Sequence, residues 1–108
     1  MPTARGSVSQ AGANRITAQF ILDDGRRVTY SGSVSTSVPR FNAATCVMTY
    51  NDEYDLTGTH PFTGLVGVTN IALTIGVTVT IAGTLDQQVA PAQTINGSGS
   101  WLMTRSDE

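Results

Sequence analysis

Between Arg15 and Val34 apolar residues recur at every second position on both sides of one polar break. Ile16, Ala18, Phe20 and Leu22 share one face of the first run, and Val28, Tyr30, Gly32 and Val34 share one face of the second. A period of two is that of a half-buried strand, and Asp24 and Gly25 tolerate the positive φ of a two-residue turn, so the pattern predicts a β-hairpin.

Further strands are expected along the rest of the chain. "TSVPRFNAA" reads as a loop or edge passage, because Pro39 removes a ladder donor. "TCVMTYN" reads as a strand, with "DEYDLTG" as its hairpin partner across Asn51 and Asp52. "FTGLVGVTNIALTI" and "GVTVTIAGTL" give two more; in the second, Val77, Val79, Ile81 and Leu85 point inward around Gly83, with Thr78, Thr80 and Thr84 outward. "TINGSGSWLMTR" closes the domain. Residues 4–10 suit a short first strand, with 1–12 otherwise a flexible or short edge segment. Only "QQVAPAQ" could hold a helical turn, since no amphipathic helical period occurs anywhere.

The expected fold class is therefore all-β: a small antiparallel β-barrel or barrel-like sandwich of about seven or eight strands, without significant helix. Glycines at 32, 58, 64, 67, 76, 83, 97 and 99 favour the barrel, because glycine in or beside a strand permits the bends and close backbone approach that closure needs. A chain of 108 residues and 11.3 kDa suits one domain over 1–108. Area scaling gives about 6,000 Å² folded against roughly 16,000 Å² unfolded, enough burial for one core without staples.

Composition mainly excludes. Only 13% of residues are charged and the formal net charge is −2. All six basic residues are arginines and they are scattered, so no basic stripe exists to track phosphates; nucleic acid and anionic membranes are not expected partners. Leu56–Leu85 contains no Asp, Glu, Lys or Arg, yet its alternation and glycines fit strands rather than a membrane span. The N-terminal residues lack an apolar signal region, which leaves a cytoplasmic protein or an exported one whose signal has been removed. The single cysteine, Cys46, lies in an apolar run and reads as a buried structural thiol.

Candidate chemistry concentrates in "YNDEYDLTGTHP". On a strand Glu53 and Asp55 would point the same way roughly 7 Å apart, a separation that overlaps glycosidase carboxylate pairs but that any i, i+2 acidic pair meets. Asp52, Glu53 and Asp55 offer hard oxygen ligands without the spacing of an EF-hand loop. His60, the only histidine, precedes Pro61 and has no nucleophile elbow to serve, and one His with one Cys cannot close a transition-metal site. No metal and no cofactor is expected, and the poverty of titratable groups leans against an enzyme.

Trp101, the only tryptophan, follows alternating glycines in "NGSGSW" and reads as a core or barrel-plugging residue, or as an aromatic platform. "GSGSW" resembles the Gly-x-Trp element of calycin barrels such as lipocalins and avidins, though it lies here near the C-terminus rather than in the first strand; the resemblance implies a small ligand-holding barrel and transfers no binding residue. The leading expectation is a non-catalytic module binding a small molecule or carbohydrate at a barrel rim formed by Asp52, Glu53, Tyr54, Asp55 and His60, with Trp101. The alternative is a structural or interaction subunit, a homo-oligomer, coat or secreted effector, meeting its partner through a Thr/Val-rich strand surface. A small barrel enzyme using the carboxylates and His60 is the minor third.

Overall fold

The computed structural model describes residues 3–22, 25–35 and 41–105; the side chains of Glu53, Tyr54, Thr104 and Arg105 lie outside that description. Eight antiparallel strands, β1 (Thr3–Gly12), β2 (Arg15–Ile21), β3 (Arg26–Val34), β4 (Asn42–Thr49), β5 (Thr59–Val66), β6 (Asn70–Ile75), β7 (Val79–Thr84) and β8 (Gln93–Arg105), form a closed barrel. The order around the wall is β1-β2-β3-β8-β5-β6-β7-β4.

The alternation predicts the inward faces well. Ile16, Ala18, Phe20 and Leu22, then Val28, Tyr30 and Val34, are all buried, and β2 pairs with β3 from Arg15↔Ser33 to Ile21↔Arg27. Their connection is longer than the expected two residues. Leu22 and Arg26 pair (Leu22 N–H to Arg26 O, 2.8 Å), the Gly25 N–H bonds back to Leu22 O at 2.9 Å, and Gly25 takes φ of 89°. Three residues therefore separate the paired ends, and the last of them, Gly25, takes a positive φ that suits glycine. Asp24 and Pro39 lie outside the described residues.

Residues 4–10, expected as a short first strand, lie within β1, which is hydrogen-bonded on both sides, to β2 and to β4. Register shifts at Gly6/Val8 and Gln10/Gly12 mark bulges, which bend a strand around a barrel. β8 is the longest strand at 13 residues; its first part pairs with β5 and its last with β3.

Three expectations are corrected. "FTGLVGVTNIALTI" holds two strands, β5 and β6, which turn at Gly67–Thr69 with the Gly67 N–H bonded to Asn70 O at 2.8 Å. Val77 is not inward: β7 starts at Val79, and Val77 occupies the β6–β7 turn at 93% exposure. "DEYDLTG" is not a strand paired with β4, whose neighbours are β1 and β7; it holds a 3₁₀ turn, η1, at Glu53–Leu56. The one helical turn of the described residues is thus there, not at "QQVAPAQ".

The strand order explains that turn. β4 and β5 are not neighbours, so residues 50–58 must cross one mouth of the barrel, and residues 85–92 cross the opposite mouth from β7 to β8. Each crossing pushes apolar side chains into the opening: Tyr50 and fully buried Leu56 at the first mouth, Leu85 and Val89 at the second. Eight strands enclose little more than their own side chains. Here Val8, Phe20, Tyr30, Met48, Phe62, Ile71, Leu73, Ile81 and Ile95 fill that space, and no charged residue among the described ones is buried. The accessible surface is 5972 Å². Among the described residues no helix is long and apolar enough to cross a membrane.

Candidate functional site

Glycine gives the aromatic side chains their room at the first mouth. Gly32, Gly97 and Gly99 occupy inward places on β3 and β8, where a Cβ at Gly32 would meet the Phe62 ring at 2.8 Å and one at Gly99 would meet Gly32 Cα at 2.6 Å. Tyr30 and Phe62 pack edge to face at 5.8 Å between centroids, and Tyr30 and Trp101 lie at 4.9 Å. In "NGSGSW" the two glycines lie against the backbone of β3 at Ser31–Val34, and Trp101 is a core residue, 8% exposed, and not a platform open to solvent. Its indole Nε1–H is buried without a hydrogen-bond partner among the described residues. The Tyr30 hydroxyl donates to the His60 carbonyl at 2.7 Å, and burial pushes its pKa up to about 12, against a smaller opposing effect of a backbone hydrogen bond with Gly99.

The crossing segment is stitched to itself and to the wall. The Asp55 N–H donates to Asp52 O at 2.9 Å, and the Asp55 carboxylate accepts from the Asp52 N–H at 3.2 Å. His60 Nε2 lies 2.8 Å from the Thr57 carbonyl, and the Trp101 N–H bonds to Gly58 O at 2.9 Å. The Gly76 N–H bonds to Pro61 O at 2.8 Å, fixing the β6–β7 turn beside the start of β5.

Between the crossing segment and that turn lies a depression of about 290 Å³, lined by Asp55, His60, Pro61 and Ile75–Val79. Of the six residues singled out from sequence, Asp55 and His60 line it. Asp52 is exposed on the turn, Trp101 is in the core, and the Glu53 and Tyr54 side chains lie outside the described residues. Because the segment is a 3₁₀ turn, the same-face spacing that suggested a Glu53/Asp55 carboxylate pair does not apply. Sequence reading missed Ile75, Gly76, Val77 and Val79, which a strand assignment hid as ordinary alternation.

A second depression of about 290 Å³ at the opposite mouth is lined by Phe41, Asn42, Asp86 and Gln87. Its one carboxylate is engaged: Asp86 accepts from Asn42 Nδ2 at 2.6 Å and from the Ala44 N–H at 3.4 Å. Asp86 thereby ties the second crossing to β4, a structural duty.

Catalytic and metal chemistry find little to work with. Among the described residues no group of three His, Cys, Asp or Glu could hold a metal ion. Cys46 is 1% exposed with its thiol 3.4 Å from Ala43 O, and burial raises its pKa, the opposite of what a nucleophile needs.

The outer wall divides in two. Every arginine of the described residues stands on β1, β2, β3 or β8, whereas β5, β6, β7 and β4, consecutive around the barrel, carry no Asp, Glu, Lys or Arg. On that uncharged side Thr49, Thr80, Thr74 and Thr63 stand in register across the four strands, beside the parallel row Val47, Ala82, Ala72 and Leu65. Comparison of the chain with protein-family models, with curated proteins and with solved structures finds no match, so what bears on its function is the geometry of this barrel.

Proposed function

We propose that the protein is a non-catalytic binding module that takes a small molecule or carbohydrate at the barrel mouth crossed by residues 50–58. The observation that carries this reading is the depression of about 290 Å³ in which Asp55 and His60 face Pro61, Ile75, Val77 and Val79. Binding sites combine an apolar lining with a few converging polar groups, and the volume is near the lower end of the usual range of roughly 300–1,000 Å³. The packed interior directs a ligand to the mouth.

Amide chemical-shift mapping with a library of small molecules and oligosaccharides tests the reading. Support is a hit that shifts Asp55, His60 and Gly76–Thr78 and is weakened by Val77→Lys, a change at a side chain 93% exposed and therefore harmless to the core. Hits that map only to the outer wall, or no hit, overturn it.

The uncharged wall favours a second reading, a homo-oligomer joined through β5, β6, β7 and β4. In a two-fold contact each residue's patch meets its own copy, and a wall without charges meets itself without like-charge opposition. Leu65 at 46% and Val47 at 42% exposure supply apolar area there.

A further inference from the structure

We infer that the ligand of the mouth depression is an organic amine: a short apolar body carrying a cationic, hydrogen-bond-donating head. This rests on the reading of that depression as the binding site and narrows it to a chemical class. The polar side of the lining consists mainly of acceptors. Asp55 is half-buried, and one of its carboxylate oxygens is held by the Asp52 N–H. A carbonyl oxygen can only accept, so the contact between His60 Nε2 and Thr57 O places the ring hydrogen on Nε2. The Nε2-H tautomer has its lone pair on Nδ1. That atom faces the β6–β7 turn, 3.5 Å from where a Cβ on Gly76 would stand. Glycine there, at φ of 65°, both makes the turn and leaves the Nδ1 side uncovered.

Opposite these acceptors the lining is Pro61, Ile75, Val77 and Val79, and among the described residues no lysine or arginine belongs to it. A carboxylate or phosphate head would meet Asp55 with like charge and find, among the described residues, only the Thr78 hydroxyl as a side-chain donor besides the imidazole. An ammonium head supplies three donors and no acceptor, the complement of this lining. The apolar residues take the remainder of the molecule out of water.

Titration of the labelled protein with hexylamine, hexanol, hexanoate and cellotetraose, followed by amide shifts, tests the class and the site separately. The expected result is saturable shifts at Asp55 and Gly76–Thr78 with hexylamine and none with hexanoate. Asp55→Asn, which keeps shape and acceptor, and Val77→Lys, which adds a cation to an exposed position, should each weaken hexylamine about two- to fivefold, the range of a partly solvated charge pair. Equal response to hexanol, preference for hexanoate or cellotetraose, or indifference to Asp55→Asn overturns the amine while leaving the mouth as the site. Silence of these resonances with all four probes overturns the amine and the site together.

Discussion

Tyr30 on β3 hydrogen-bonds the main chain of His60 on β5, two strands away in the barrel order, its hydroxyl 2.7 Å from the carbonyl oxygen. Between them lies β8, whose Gly99 is paired with both Gly32 and His60 and where a Cβ would meet the backbone of Ser31 and Gly32. A core aromatic thus anchors the strand end that presents the His60 ring to the mouth.

Removing that hydroxyl tests the anchor. Tyr30→Phe keeps the ring packing but leaves the His60 carbonyl without its donor, and should cost about 1–3 kcal/mol in urea unfolding. The pH dependence has a definite sign. With the folded pKa raised from 10.0 to about 12, the bond's contribution is complete below pH 10 and is lost as pH rises toward 12. The stability gap between wild type and Tyr30→Phe should narrow over that interval. A constant gap would show that Tyr30 keeps its ordinary acidity.

Two glycines should respond oppositely to the same change. A Cβ at Gly99 would approach Gly32 Cα at 2.6 Å, contact that only backbone movement relieves, whereas one at Gly12 would meet nothing within 4 Å. Gly99→Ala should destabilise by about 1–3 kcal/mol or prevent folding. Gly12→Ala should be neutral or stabilise by up to about 1 kcal/mol, through the unfolded chain's lost freedom. Thermal melts of both variants check this, and equal melting temperatures would remove close approach as the reason for glycine in β8.

Leu56 is the residue whose role alternation concealed. It is fully buried at the crossed mouth, one residue after Asp55 of the depression. Leu56→Ala should cost about 2–5 kcal/mol and raise amide exchange across residues 52–60 more than in β2 or β3. An exchange pattern unchanged at 52–60 would mean that other contacts hold the crossing.

What the sequence made legible follows from what is local. Strands β2, β3, β7 and β8 announce themselves because inward and outward residues alternate within a few positions, and the glycines of "NGSGSW" signal the close approach of the β8 and β3 backbones. The identity of 52–58 was hidden because it depends on strand order. Leu56 looks like a strand residue until β4 is found beside β1 and β7, which forces the chain across the mouth. The depression was only half legible for the same reason: Asp55 and His60 stand out chemically, while Ile75–Val79 joins them through a turn that contiguous alternation disguised.

The uncharged wall makes the last prediction. Its outward rows join Thr49, Thr80, Thr74 and Thr63 on one line and Val47, Ala82, Ala72 and Leu65 on the next, so charge placed at Leu65 or Val47 enters one end of a row that a contact spanning the wall buries. If copies associate through this wall, light scattering should give a defined oligomer that Leu65→Lys and Val47→Lys each dissociate, because the symmetric contact opposes the new charges. Both side chains are more than two-fifths exposed, so neither change should lower the melting temperature of the monomer appreciably. A strict monomer at millimolar concentration, or an oligomer indifferent to both substitutions, would assign the wall no role in self-association.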